Sequence, residues 1–544
     1  MAKSRALTVY LLKAISSEPD AFIKSDLRIQ PHPVALASSP SAFLYAKPTK
    51  PEPPRWADFF EPHVAAEALG LVSSASAALL LEARNRWWAI TFGQGRHLLA
   101  EGVYEDGFGL RVALNAIGRE NIRSLDKETF DMIAGHAKQQ ATADVDAAEF
   151  GLDIERDLLG AVTGSPRDPE FVGSRISGRD PLWTALTLEL EDLPSYLERL
   201  YDLFMDDSYK IDFPWIDNVH AVDDRDEIQL VDWELIRLLQ AGDLRNIWLA
   251  PPEVLDWPKV RNFSYSLSAR QPERRDIDWD MFIEYVAKGD PSRLSIDFLK
   301  DHTVYCIGED AVVTYKWPVY RCIYAQITYS GAQYFLTNGR WYRIAGSFVD
   351  EVTRFYDGIA KLEEYLPTFG RETEGEYNLR VAGSSEQFAL MHGKMIQYGG
   401  GKSSIELCDL ITTDCDLVHI KRYWGSQSLS HLFAQGLNSA ELFQVDGEFR
   451  AAADKFLPHS LRGRFLEERP AREELRVVFA IISEVDEPLA LPFFAKLSLR
   501  HVARRLVGFG YRVAVARIRV ASEAVQLKAF RKRSRQGSKR NRKS

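Results

Sequence analysis

Glu406 and Asp409 lie three residues apart in the apolar run Ile405-Glu406-Leu407-Cys408-Asp409-Leu410-Ile411. His419 and Lys421 lie two apart in Leu417-Val418-His419-Ile420-Lys421-Arg422-Tyr423. Carboxylates are hard oxygen donors suited to Mg2+ or Mn2+, an imidazole ligates a divalent ion or takes a proton, and an ammonium orients an attacking water and offsets developing negative charge. Together these groups suit metal-assisted hydrolysis of a phosphodiester. Asp409 is then the metal ligand, Glu406 the second-choice acid, Lys421 the water-orienting group, and His419 a ligand or general base.

The two runs read as strands joined by the polar turn Thr412–Asp416, with a helical pattern from Leu429 to Phe443 behind them. Residues two apart on a strand share a face, so His419, Lys421 and Tyr423 point one way and Val418, Ile420 and Arg422 the other. Asp409 faces His419 and Lys421 only in the right register. Glu406 lies on the opposite face of a regular strand and joins only through a bulge. The plain structural alternative is a cross-strand Asp409–Lys421 ion pair with His419 hydrogen-bonded beside it.

An acid on one strand, a polar-x-Lys on its partner and a helix behind resembles the PD-(D/E)xK nucleases. The text after Lys421, with a Ser/Gly-rich turn and a helix ending at Gln435-Gly436, is similar to the Mrr-like members. That resemblance implies Mg2+ or Mn2+ as cofactor, nucleic acid, DNA foremost, as substrate, and a further acid from a preceding helix, where Glu376 and Glu386 are candidates. His419 departs from the Glu or Gln usual at its position, and imidazole suits transition metals better than Mg2+.

These residues need a scaffold, and the 544-residue chain supplies enough for several domains, with 46% apolar and 11% aromatic residues. Leu7–Leu12 reads as an opening strand. The text holding Pro31, Pro33, Pro40, Pro48, Pro51, Pro53 and Pro54 reads as extended and loop-like. Ala77–Glu82 and Trp87–Phe92 form a hairpin pattern leading into Gly93-Gln94-Gly95-Arg96, a tight turn that is weak evidence for a phosphate site. Leu186–Met205 has helical spacing interrupted by Pro194. From Thr303 the pattern turns to strand, with Asn338-Gly339 the strongest hairpin signal. Leu475–Ile482, Leu491–Val507 and Tyr511–Val520 spell β-α-β, whose crossover pairs the two strands in parallel.

The fold class expected is α+β and multidomain, with a mixed-sheet, restriction-endonuclease-like domain in the C-terminal half. Residues 1–300 form an N-terminal α+β region (two subdomains, split near 180), 301–470 the nuclease-like domain, 471–527 a small β-α-β unit and 528–544 a disordered basic tail. Cys306, Cys322, Cys408 and Cys415 match no zinc spacing and read as buried thiols. The longest apolar runs are too short to span a bilayer and no signal peptide is recognisable, which predicts a cytoplasmic protein without membrane attachment. The formal charge is −9, yet residues 528–544 carry nine Lys or Arg and no acid, so the remainder stands at −18. Arg531, Lys532, Arg533 and Arg535 of the tail, Arg422, and Lys496, Arg500 and Arg504 at i, i+4, i+8 on one helix are the candidate nucleic-acid contacts. A non-catalytic nucleic-acid-binding or sensor subunit using those cations is the competing function.

Several phrases taken in order carry a wider resemblance: Trp88-Ala89-Ile90-Thr91-Phe92-Gly93-Gln94-Gly95-Arg96, Phe108-Gly109-Leu110-Arg111, Phe150-Gly151-Leu152-Asp153, Ile176-Ser177-Gly178-Arg179-Asp180, Asn338-Gly339-Arg340-Trp341-Tyr342, Ile405 to Leu410, and His419-Ile420-Lys421 with Leu429 to Gly436. They resemble a sporadically distributed bacterial family without established activity, often encoded near restriction and phage-defence genes. The resemblance implies a defence role, with a homo-oligomer or a defence-system protein as partner. Relatives typically carry an acid shortly before the Ile-Glu-x-Cys-Asp strand. Here that text is Leu390-Met391-His392-Gly393-Lys394, with no acid; if the acid binds metal in relatives, this chain is either impaired or uses His392 in its place.

Overall fold

The alternation at the start of the chain becomes the strand Ser4–Leu11, which lies between Arg86–Phe92 and Leu182–Thr187 in a ten-stranded antiparallel sheet. The computed structural model describes residues 4–521 except 37–38, 40, 49, 62, 101, 130–134, 151–156, 170–172, 254, 256–259, 268–273, 275, 309–311, 399–403, 424–425, 467 and 485–488. The fold is mixed α and β in two units, the first ending at Asp217 and the second beginning at Asn218.

In the first unit, the expected hairpin forms from Ala75–Ala83 and Arg86–Phe92, with Arg84 and Asn85 both at positive φ as a two-residue turn of that twist requires. The proline-rich text is extended as expected, but Pro31–Pro33 and Ala42–Pro48 also join the sheet. The former lies at its edge, where missing N–H donors are tolerated. The helix Phe108–Ala116 buries Phe108, Val112 and Ala113 in this unit's core. Gly109 lets it dock: a Cβ there would stand 2.1 Å from the Pro181 carbonyl oxygen, and its N–H donates to the Asp180 carbonyl at 3.1 Å. Pro194 does not interrupt a helix. It lies in the first turn of Leu193–Met205, where no backbone donor is lost.

The second unit opens with a five-stranded sheet that recruits the short strands Val219–Ala221 and Ile247–Leu249 to the hairpins Ile323–Tyr329, Ala332–Thr337 and Arg340–Ile344. The division expected near 300 therefore runs through a sheet whose members come from both sides of it. Asn338 and Gly339, at φ 49° and 73°, make the expected tight turn.

The elements that frame the candidate site follow: α1 (Gly346–Gly358), β1 (Ala360–Leu362), α2 (Glu374–Ser384), β2 (Phe388–Leu390), β3 (Leu410–Thr412), β4 (Asp416–Arg422), α3 (Ser426–Val445), β5 (Arg476–Ser483), α4 (Phe493–Gly508) and β6 (Arg512–Arg519). Their sheet has the order β1-β6-β5-β4-β3-β2. Strands β4, β5, β6 and β1 run parallel, while β3 is antiparallel to both β4 and β2. The β5–α4–β6 crossover is thus the expected one, but it extends the sheet of β4 instead of standing apart as a small unit.

Leu417, Val477, Phe479 and Ile481 pack on one face under α3 and α4, as two crossovers of one hand stepping in one direction require. Val418, Ile420, Val478 and Ala480 pack on the other, under Tyr377 and Val381 of α2. Val477 to Ile482 is apolar without alternation because β5 is covered on both sides.

Candidate cation site at the end of the central strands

Asp409 lies just ahead of β3, and three backbone bonds hold it. Its N–H donates to Val418 O, and its carbonyl accepts from the N–H groups of Met391 and His392, each at 2.9 Å. Its carboxylate does two jobs. Oδ2 accepts the Ile420 N–H of β4 at 2.8 Å, so a side chain takes the place of a ladder carbonyl. Oδ1 lies 3.0 Å from His392 Nδ1 and accepts from Asn378 Nδ2 of α2 at 3.1 Å.

Glu406 reaches the same place without a bulge. The run 405–411 is not one strand: Ser404–Glu406 pairs with Met395–Gln397 in a separate two-stranded ladder, and Leu410–Thr412 pairs with β4. The break at residues 407–409 frees both acids from strict alternation. Glu406 Oε1 accepts the Gly393 N–H at 2.9 Å, and Oε2 lies 3.5 Å from His392 Nδ1. His392, Glu406 and Asp409 thus present one donor atom each within 4.8 Å of one another. The His392 bond to Asp409, helped by the charges of Glu406 and Asp409, holds the imidazole pKa above its ordinary value against the opposing effect of burial.

Lys421 makes its contact with α2, the helix that also touches Asp409. Its Nζ donates to Glu374 Oε2 at 3.0 Å, and Glu374 Oε1 accepts the Arg422 N–H at 2.9 Å. Glu374 and Asn378 are four residues apart on α2 and so share one face, placing the groups that touch Lys421 and Asp409 a single helical turn apart. Asn378 is 1% exposed, and its Oδ1 has no hydrogen-bond partner among the described residues.

His419 is elsewhere. It is fully buried on the α3 face of β4, its ring 6.2 Å from that of Phe479, and neither ring nitrogen has a hydrogen-bond partner among the described residues. Burial pushes its pKa down to about 4, outweighing the Asp409 charge. A neutral imidazole sealed from water neither exchanges an ion with solvent nor relays a proton, so its expected role as ligand or base is corrected. The cluster has no acid from the preceding helix among the described residues. Glu376 turns back on Thr373 in a capping box, Glu386 lies beyond the end of α2, and Glu374 pairs with Lys421.

The basic helix face is likewise not free for phosphate. Arg500 is 3% exposed and pairs with Glu351 of α1, and Lys496 lies over the Tyr356 ring, while Arg504 is exposed and stacks on Phe355. This face packs α4 on α1, which withdraws Arg500 from the expected phosphate-binding surface and leaves Arg504 exposed. Arg422 pairs with Glu484 at 2.7 Å. Arg531, Lys532, Arg533 and Arg535 lie outside the described residues, as do Gly151-Leu152-Asp153 and Gly425.

Fold and site together define a multi-sheet α+β protein with an imidazole–carboxylate cluster at the ends of the central strands of its second unit. The chain belongs to a family of unknown function (DUF6119), whose model matches residues 7–519. No curated protein and no solved structure matches it.

Proposed function

We propose that this protein is a divalent-cation-dependent phosphodiesterase acting on nucleic acid, with DNA the first substrate to test. The observation that carries the proposal is the convergence of His392, Glu406 and Asp409, with Lys421 and Asp409 contacted by Glu374 and Asn378, one turn apart on α2. The arrangement of α2, three antiparallel strands β2-β3-β4, helix α3 and the parallel strand β5 is compatible with a restriction-endonuclease-like core. On the sequence resemblance, His392 would take the place of the acid that relatives carry before the Ile-Glu-x-Cys-Asp phrase. A cation held by the three donors would polarise a phosphoryl oxygen and activate water. Lys421 would offset the negative charge that builds on the oxygens of the pentacoordinate phosphorus, with Glu374 fixing its direction. The setting in bacterial defence rests on the sequence resemblance alone.

The test is incubation of wild type, Lys421→Ala and Asp409→Asn with plasmid, linear DNA and RNA, in Mg2+, in Mn2+ and in EDTA. Cleavage by wild type that stops in EDTA and falls at least about 100-fold in each variant is expected, since each loses a group acting on the reacting phosphate. Absence of cleavage by wild type under every condition, with DNA binding unaffected by EDTA, would overturn the proposal in favour of a nucleic-acid-binding subunit.

A further inference from the structure

The way the two carboxylates are held says which ions the site takes. Each has one oxygen fixed by a backbone N–H, Asp409 Oδ2 by Ile420 and Glu406 Oε1 by Gly393. Each presents its other oxygen to the same nitrogen, His392 Nδ1. Such outer contacts fix ligand orientation before any ion arrives. The resulting nitrogen-to-oxygen spacings are 3.0 and 3.5 Å. Donors bound at about 2.1 Å and separated by angles from octahedral to tetrahedral stand about 3.0 to 3.4 Å apart, so the His392–Asp409 pair has the spacing of two ligands of a small divalent ion and the His392–Glu406 pair lies just outside it.

A second observation is independent of the charged groups. Asn378 is buried and aimed at Asp409 through Nδ2, and the adjacent carboxylate dictates that orientation of the amide. This leaves Oδ1 as a buried carbonyl oxygen with no partner among the described residues. A buried acceptor of this kind is costly to leave unsatisfied, and it belongs to the same amide that donates to Asp409. The side chain of His392 is 41% exposed, so the cluster opens to solvent on the imidazole side and keeps positions for exchangeable ligands.

We infer that the His392–Glu406–Asp409 cluster is selective for first-row transition cations, taking Zn2+ or Mn2+ in preference to Mg2+. This rests on the cation site proposed above. Imidazole nitrogen is a good ligand for transition ions, whereas Mg2+ seeks oxygen in near-ideal octahedral geometry and gives up its waters reluctantly. One nitrogen among three protein donors therefore tilts the site away from Mg2+.

The experiment uses the full-length protein after chelator treatment. Mn2+ binding is followed by the electron paramagnetic resonance of the free ion, Zn2+ binding by calorimetry, and Mg2+ by competition against Mn2+. One equivalent of Mn2+ or Zn2+ should bind at least about tenfold more tightly than Mg2+. His392→Ala should weaken both transition ions about tenfold or more while changing Mg2+ little, and Glu406→Gln should weaken all three. Both substituted side chains are outside the hydrophobic core, so the variants keep the fold. Equal affinity for Mn2+ and Mg2+, no stoichiometric binding, or an unchanged preference in His392→Ala would overturn the inference. Selective binding without cleavage of nucleic acid would sink the phosphodiesterase reading and leave the selectivity standing. Cleavage with no cation preference would do the reverse.

Discussion

A neutral histidine inside an apolar layer is an acid-sensitive weak point, and His419 is one. Unfolded, its imidazole takes a proton near pH 6.5; folded, burial delays protonation to about 4. Between those values the unfolded state binds more protons, so stability rises with pH across the window and is lost as pH falls from neutral toward 4. The contribution is on the order of 3 kcal/mol. His419→Leu should remove it: urea denaturation of wild type and variant at pH 7 and pH 4.5 should show a larger acid loss in wild type, and equal losses would refute the assignment. At this scale the sequence was half legible. Asp409 and Glu406 were visible as acids in an apolar run, and His392 as the residue standing in for an acid. Which imidazole joins them was not, because the face His419 takes depends on the packing of α3. Glu374 and Asn378 were missed outright. The Thr373-x-x-Glu376 helix start and the four-residue spacing after Glu374 were the signals that place both on one face of α2.

Among the elements, α3 packs closely on the strands beneath it. A Cβ at Gly436 would stand 2.5 Å from Phe479 Cε1 and 3.2 Å from His419 Cδ2, so the missing side chain sets how closely α3 approaches β4 and β5. Gly436→Ala gains helix propensity but must displace an aromatic ring in a packed layer, and overpacking of this kind costs about 1–3 kcal/mol. A lower urea midpoint with an unchanged slope is the expected outcome; a gain in stability would show that the layer has slack. Strands and crossovers with strong patterns were readable here: the β-α-β pattern at the end of the chain becomes β5, α4 and β6, paired in parallel as expected. Helix α4's cationic spacing was legible but misleading, since periodicity shows which residues share a face and not what covers it. Arg500 and Lys496 turn out to knit α4 to α1.

Across the whole molecule, the division at Asn218 could not be read from the chain because it depends on non-local pairing. Val219–Ala221 and Ile247–Leu249 are three-residue strands with little pattern of their own, and each finds its partner far along the sequence. The charge asymmetry, in contrast, is legible directly. Deleting residues 528–544 removes nine cations from an otherwise acidic chain. Non-specific DNA affinity should fall at low salt, and the slope of log K against log salt should flatten, by at most about 0.9 for each phosphate the tail no longer neutralises. Fluorescence anisotropy with a labelled duplex at several salt concentrations measures both; an unchanged slope would exclude the tail from binding. No helix among the described residues is long and apolar enough to cross a membrane.

The parallel pairing of β4 with β5 has a consequence for how the protein is made. Strand β4, which carries Lys421 and supplies the Ile420 N–H to Asp409, finds its other neighbour only in residues 476–483, and that neighbour is itself flanked by residues 512–519. These leave the ribosome last of all the described elements. A nascent chain stalled or cut short after α3 would hold every residue of the cluster, yet lack the strand that keeps β4 straight and its apolar faces covered. The cluster's geometry therefore depends on a strand supplied from beyond α3, so removing residues 476–519 should unsettle His392, Glu406 and Asp409 without touching any of them.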